Sequence, residues 1–222
     1  MQREQMNSSV VVFDFDDTIL NGNAGNQFIK SRLEKSAARN TAAVCLLPLI
    51  KLLLKFYPTQ TLARSIPTWI ATVGISEAEL NQAIEEFPST IKLFGEAIEE
   101  IKRYQKESAR ILIISGSVEI LVISILDRFI PDQTGITVIA SQTSKLLGGH
   151  IIRRFCRGKN KIAMAREKQL ADNWDAGYSD DHTDIPLLLR CKKRFIVNPE
   201  PASLDKLNSA LKGDFKVLTW AN

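Results

Sequence analysis

At 222 residues the chain is longer than most single domains and suits one α/β domain carrying a smaller inserted module. With 45% hydrophobic and 24% charged residues it has material for a sizeable core and no compositionally disordered tract. A net charge of +4, spread along the chain, excludes the long basic stripe of a nucleic-acid binder; it suits an anionic substrate or an anionic membrane surface.

The segment Met1 to Ser9 is polar and lacks the apolar core of a signal peptide. Cys45, Cys156 and Cys191 are widely separated and form no C-x-x-C pair, so a reduced, cytoplasmic protein is expected. Val10 to Phe13 is short, β-branched and continuously apolar, the pattern of a strand buried on both faces of a parallel sheet. The following connection, from about Asn21 to Pro88, is far too long for one crossover helix. It reads as helical, with breaks at Pro48, Pro58, Pro67 and Gly74 and a fresh capped start at Ser76-Glu77-Ala78-Glu79. The expected division is therefore a core of residues 1–20 and 89–222 and a helical cap module of residues 21–88.

Within that insert, Ala42 to Tyr57 is the most apolar stretch, interrupted by Lys51 and Lys55 on one helical face. It is expected to be too short and too charged to cross a bilayer, which needs about 20 apolar residues. Two readings remain open: a helix packed inside the cap, or one lying in a membrane interface as a peripheral contact. Further apolar runs at Ile111 to Ile114, Ile136 to Ala140, Trp174 to Tyr178 and Arg194 to Val197 alternate with helical patterns. The expected fold class is a doubly wound, Rossmann-like parallel sheet.

In such sheets ligands bind beyond the carboxyl ends of the strands. Four groups of polar residues fall there: Asp14, Asp16 and Thr18; Ser115 and Gly116; Lys159; and Asp180, Asp181 and Asp184. A phosphoryl group needs a nucleophile, an in-line proton donor, a divalent cation and fixed positive charge, and each has a candidate. Asp14 and Asp16 alternate along extended chain and so share a face. Ser115, where strand turns to helix, can offer hydroxyl and backbone N–H groups to phosphate oxygens.

Phe13-Asp14-Phe15-Asp16-Asp17-Thr18 is a D-x-D-x-T after a strand and resembles the first motif of the haloacid dehalogenase superfamily; the other groups resemble its remaining motifs, in order. The resemblance implies that Asp14 is the nucleophile, forming an aspartyl-phosphate, and that Asp16 protonates the leaving alcohol and then activates water. It implies Mg2+ held by the Asp14 and Asp180 side chains and the Asp16 backbone carbonyl, with Asp184 orienting that shell. Asp181 competes with Asp180 for the ion or simply caps a helix near His182; Asp180 is preferred. Thr18, Ser115 and Gly116 are expected to bind substrate. Lys159 is expected to neutralise Asp14 and the phosphate; the family lysine could instead align with Lys161, depending on how the loop after Gly158 is counted, and Lys159 is preferred. Arg153, Arg154, Arg157 and Lys161 are otherwise read as surface charge, and His150 and His182 show no zinc pattern.

The position of the insert marks the subfamily containing phosphoserine phosphatase, while Ile139-Ala140-Ser141-Gln142, Gly148-Gly149 and Gly177-Tyr178-Ser179-Asp180 resemble the bacterial phosphatidylglycerophosphatase C group. The expected substrate is thus a lipid phosphate, with a soluble phosphate as the alternative. A P-loop kinase is excluded because Arg153 stands where its first glycine belongs and Asn160 where Ser or Thr should follow the lysine. A receiver-like module that only binds Mg2+ and phosphate would have no use for a second acid at Asp16.

Overall fold

The computed structural model describes residues 9–168, 170 and 173–221; the reading made above for residues 1–8 lies outside them. Strand β1 (Val10–Phe13) has Val11, Val12 and Phe13 wholly buried, because it pairs in parallel with a neighbour on each side. Those neighbours are β2 (Arg110–Val118) and β5 (Trp174–Ser179). With β3 (Ile136–Leu146), β4 (Gly149–Arg154), β6 (Cys191–Val197) and β7 (Lys216–Leu218) they form one sheet in the order β4-β3-β2-β1-β5-β6-β7. Every adjacent pair is parallel except β3 and β4.

Strand alternation divides the core between the two faces of this sheet. Val11, Phe13, Ile111 and Ile113 point to α5 (Gly95–Lys106) and α6 (Glu119–Phe129). Val12, Leu112 and Ile114 point to α7 (Lys159–Glu167), the short α8 (Ile185–Leu188) and α9 (Pro201–Leu211). On the first face the rings of Phe13, Tyr178 and Phe195 stack at centroid distances of 4.3 and 4.6 Å, tying three strands together behind the site.

Between β1 and α5 the insert folds as α1 (Ala24–Glu34), α2 (Ala37–Leu54), α3 (Gln60–Thr72) and α4 (Glu77–Glu86). Each start that carries a side-chain cap has the residue its chemistry calls for: Asn23, Ser36, and Ser76 in a reciprocal capping box with Glu79. The breaks expected at Pro48 and Pro67 do not occur; α2 and α3 run through both, each forgoing one backbone bond. Pro58 and Gly74 do lie at junctions.

The largest departure from the sequence reading is the hairpin of β3 and β4. Leu147 and Gly148 form its turn with φ of 44° and 78°, and β4 runs antiparallel where only the first part of β3 was expected. Helix α3 lies along the open edge of β4. Ser65 Oγ bridges the Ile152 amide (3.1 Å) and carbonyl (3.3 Å), Thr72 Oγ1 accepts from His150 N, and Trp69 Nε1 donates to Leu146 O. A Cβ at Gly149 would lie 2.7 Å from the Trp69 ring, so only glycine allows this approach. The cap is thus fastened to the sheet edge by the core's own hairpin.

Candidate active site

Asp14 follows β1 directly, and its amide continues the ladder to Tyr178 O at 2.9 Å. The chain then turns tightly: Ile19 and Leu20 amides both reach Phe15 O, and Asp17 adopts φ of 55° while bonding Gly22 O. This turn aims Asp14 and Asp16 into one cavity between core and cap and buries Phe15 beneath them. The switch in strand order lies between β1 and β5, which also brings Asp180 and Asp184 to this place.

One buried cation serves these carboxylates, and it is Lys161. Its Nζ lies 2.5 Å from Asp14 Oδ1 and 2.6 Å from Asp184 Oδ2. The expectation for Lys159 is therefore corrected. Gly158, at φ 54°, precedes α7, whose inward stripe is Lys161, Met164 and Ala165; Lys159 falls off that stripe and is exposed. Spacing of three and four residues along the helix was the available signal. Paired with two anions, the Lys161 ammonium is held above its ordinary pKa despite burial.

Asp16 is held by three donors, one of them shared between its two oxygens. Oδ1 accepts from Ala24 N (2.7 Å) and Ser117 Oγ (2.8 Å), and Oδ2 from Ser115 Oγ (3.0 Å) and Ser117 Oγ (2.7 Å). Burial raises its carboxyl above the usual range, against the pull of these donors. Ser117 was overlooked in favour of Ser115, two residues away. Ser115 is fully buried, committed to Asp16 and absent from the cavity wall; Gly116 and Ser117 line it. The substrate-binding expectation for Ser115 is corrected to support of Asp16. Thr18 is corrected likewise: wholly buried, it reaches Asp180 Oδ1 at 3.3 Å rather than the cavity.

Asp180 and Asp181 part company by geometry. Asp181 turns back to accept from Thr183 N at 2.7 Å and lies 3.3 Å from His182 Nδ1, capping the next turn. Asp180 faces inward, where burial first and then Asp184, Asp17 and Asp181 push its carboxyl up to about 7. Asp184 Oδ2 accepts from Lys161 and from Ser179 Oγ (2.9 Å), while its Oδ1 is buried with no hydrogen-bond partner. Asp14 is likewise pushed well upward by burial, with Lys161 opposing.

A hard divalent cation fits this arrangement. Asp14, Asp16, Asp180 and Asp184 outnumber Lys161, and one buried carboxylate oxygen has no donor. The available ligands are oxygens. Among the described residues no three acidic, thiol or imidazole side chains form a ready-made metal cage, so backbone, water and substrate oxygens would complete a shell begun by Asp14 and Asp180.

The family model for haloacid dehalogenase-like hydrolases matches residues 11–189. The chain belongs to that family. Its architecture resembles a protein of unknown function from Bordetella pertussis Tohama I at 17% identity and TM-score 0.72, covering 95% of this chain and 98% of that one. It also resembles a phosphoserine phosphatase caught as a phospho-aspartyl intermediate analogue (14%, TM-score 0.60, 95% and 93% covered). A third likeness is to a phosphoserine phosphohydrolase-like protein from Francisella tularensis subsp. tularensis SCHU S4 (19%, TM-score 0.61, 95% and 94%). At these identities the likeness establishes the fold: a haloacid dehalogenase core with helices inserted after its first strand.

Above the carboxylates the cavity of this hydrolase holds about 1190 Å3. Phe28 and Leu33 from α1, Leu80 and Ile84 from α4, and Ile152 and Phe155 from the hairpin side give it apolar walls, and Asn40 carries it to the base of α2. Arg64 and Arg157, also overlooked as site residues, face it from cap and core.

Proposed function

We propose that this hydrolase is a magnesium-dependent phosphatase acting through an aspartyl-phosphate on Asp14, and that its substrate is a lipid phosphate such as phosphatidylglycerophosphate. The phosphatase half rests on one observation: two buried carboxyls, Asp14 and Asp16, at one end of a cavity, one paired with Lys161 and the other held by two serines and an amide. Asp14 Oδ1 is occupied by Lys161, which leaves Oδ2 to attack phosphorus. As that bond forms the ester P–O bond breaks, and Asp16, raised by burial and so protonated at a higher pH than usual, delivers its proton to the leaving oxygen. Asp16 then takes a proton from water, which displaces phosphate from Asp14 and restores both carboxyls. Mg2+, held by Asp14, Asp180 and the Asp16 carbonyl with Asp184 behind them, would supply charge neutralisation for the phosphoryl oxygens.

The lipid half is supported by the cavity, which exceeds the ~300–1,000 Å3 usual for small-molecule pockets and has apolar walls leading to α2. Helix α2 has one buried residue, Ile50, and leaves Val44, Leu47, Leu49 and Leu52 between 44% and 61% exposed. The packed-inside-the-cap alternative for this segment does not hold. By length and composition alone the helix, whose 18 residues Ala37–Leu54 begin before the stretch considered above, could cross a membrane. Its two ends, however, return to α1 and α3, which pack on each other, so a helix lying in the interface of the cytoplasmic face suits the connectivity. The rival reading, a soluble phosphate, draws on the phosphoserine phosphatase likeness. Phosphate release from phosphatidylglycerophosphate in mixed micelles, phosphoserine and sugar phosphates, each with Mg2+ and with chelator, separates them. Preference for phosphoserine would overturn the lipid reading, and no Mg2+-dependent release from any would overturn the phosphatase reading.

A further inference from the structure

The cavity carries more positive charge than one phosphate monoester requires. At its floor Lys161 is fully engaged by Asp14 and Asp184. Higher up, Arg64 on α3 and Arg157 in the loop before α7 enter the same space from opposite domains. Among the described residues neither has a carboxylate within ion-pair distance, although the wall contains several acids. Three of those acids pair with lysines, and among the described residues none forms an ion pair with either arginine. Glu34 pairs with Lys30, Glu77 with Lys145, and Glu119 with Lys168. Asp181 is turned to the Thr183 amide and to His182, and the charged neighbours of Asp17 are Asp16, Glu200 and Asp181.

Among the described residues Arg64 makes a single hydrogen bond, from Nη1 to Asn26 Oδ1 at 3.1 Å, and its buried Nε has no partner. Burial and the like charge of Arg157 both depress its pKa. Two guanidiniums that repel one another in a partly desolvated wall, one with an unfilled donor, are a costly arrangement for a protein to keep unless an anion fills it. A guanidinium fork suits carboxylate and phosphate oxygens alike.

We propose that Arg64 and Arg157 form a second anion subsite, above the position of the scissile phosphate, and that the preferred substrate carries a second anionic group on its leaving alcohol. The two sources of that chemistry are a carboxylate, as in phosphoserine, and a phosphodiester, as in a phosphatidylglycerophosphate headgroup. The subsite rests on the phosphomonoesterase reading and sharpens it, since it names the leaving group rather than the reaction.

The test uses the full chain with Mg2+ and the variants Arg64→Gln and Arg157→Gln. Three substrates are compared: p-nitrophenyl phosphate, which has no second anion; phosphoserine; and deacylated phosphatidylglycerophosphate. In each variant the loss of kcat/KM for one doubly anionic substrate should exceed that for p-nitrophenyl phosphate by about tenfold or more, mainly through KM. Which doubly anionic substrate responds identifies carboxylate or phosphodiester. Equal losses on all three would mean that the arginines grip the scissile phosphate itself, and no loss would mean that they are idle; either overturns the subsite. Calorimetric binding of an alkylphosphonate with and without a terminal carboxylate or phosphodiester gives a readout independent of turnover. Wild type should favour a doubly anionic ligand about tenfold, and the variants should not. Wild-type indifference to the second anion overturns the subsite even if turnover is normal, whereas preference without turnover spares the subsite and overturns only the phosphatase.

Discussion

Two regions of the molecule, the strand ends and the inserted helix α2, break opposite rules of burial. At the strand ends, three carboxylates, Asp14, Asp16 and Asp184, and a lysine are taken out of water. On α2, leucines that could form a core are left in it. The charged end is over-determined: Asp16 alone is held by three donors, the Ala24 amide and the Ser115 and Ser117 hydroxyls, and Lys161 is pinned between two acids. The apolar end is under-determined, since α2 has one buried residue. Buried charge is kept where chemistry needs it fixed, and exposed apolar surface is kept where something else is to cover it. The contrast teaches where each kind of substitution should hurt.

Asp14→Asn breaks the charged end most completely for function. It should reduce phosphate release by about a thousandfold or more, because an amide does not attack phosphorus. The fold should survive: Asp184 still pairs with Lys161, and removing one charge from a site that also holds Asp16 and Asp180 relieves repulsion. A melting temperature unchanged or raised, with a tenth of the activity retained, would end the covalent reading. Lys161→Met is the complementary break. It strands Asp14 and Asp184 without their cation, so activity should fall about a hundredfold and stability by about 3–5 kcal/mol. Lys159→Met should do neither, and a larger effect at Lys159 than at Lys161 in paired assays would reverse the assignment made from geometry.

Asp16→Asn sharpens the division of labour between the acids. The loss should be about tenfold or more greater on an alkyl phosphate than on p-nitrophenyl phosphate, whose leaving group needs little protonation. Equal losses would argue that Asp16 only positions.

A smaller effect is expected from pH and metal together. With the Asp180 carboxyl pushed up to about 7, the metal-free fold prefers it neutral. The stability this neutral form contributes is fully present below the ordinary carboxylate pKa of about 4 and is lost as pH rises through about 7. In chelator, thermal stability should therefore decline from pH 5 to pH 8. Mg2+ should restore it more at pH 8 than at pH 5, by a few degrees at roughly 2–4 °C per kcal/mol. Asp180→Asn should flatten that difference; an unchanged Mg2+ increment in this variant would move the ligand role to Asp181.

Much of the charged end was legible because its logic is local. A buried strand ending in Asp14, the alternation to Asp16, and acids after β5 each follow from short-range pattern and from the rule that places ligands beyond parallel strand ends. What stayed hidden depended on partners distant in sequence. Strand β4 is half-exposed and polar in places, and its reason for existing is α3, some 80 residues earlier, whose Ser65 sits 87 residues from Ile152. Thr18 and Ser115 looked like ligands for a phosphate because their role as supports for Asp180 and Asp16 appears only when the strands are assembled. The lysine was misjudged by two positions because a loop's length was counted before the helix's inward stripe. Arg64 and Arg157 meet only in the folded cavity.

For α2 the sequence left core and interface equally open; the exposure of its leucines argues against the core and supports the interfacial reading proposed above. If the helix lies in the acyl boundary, Leu47 and Leu52 leave water on binding, while Lys51 and Lys55 meet anionic headgroups at about 1 kcal/mol each. The wild-type chain should float with anionic vesicles at low salt and less so at high salt, where screening weakens the lysines. It should also be released by alkaline carbonate, as a spanning helix would not be. Leu47→Gln with Leu52→Gln should stay in the soluble fraction. Its stability should lie within about 0.5 kcal/mol per site of wild type, since both side chains are about half exposed already, and that is the smallest effect expected here. A marked loss of stability would mean that these leucines serve the fold after all. A wild-type protein that ignores vesicles at either salt would leave the exposed face to some other partner and remove the membrane from the proposed function.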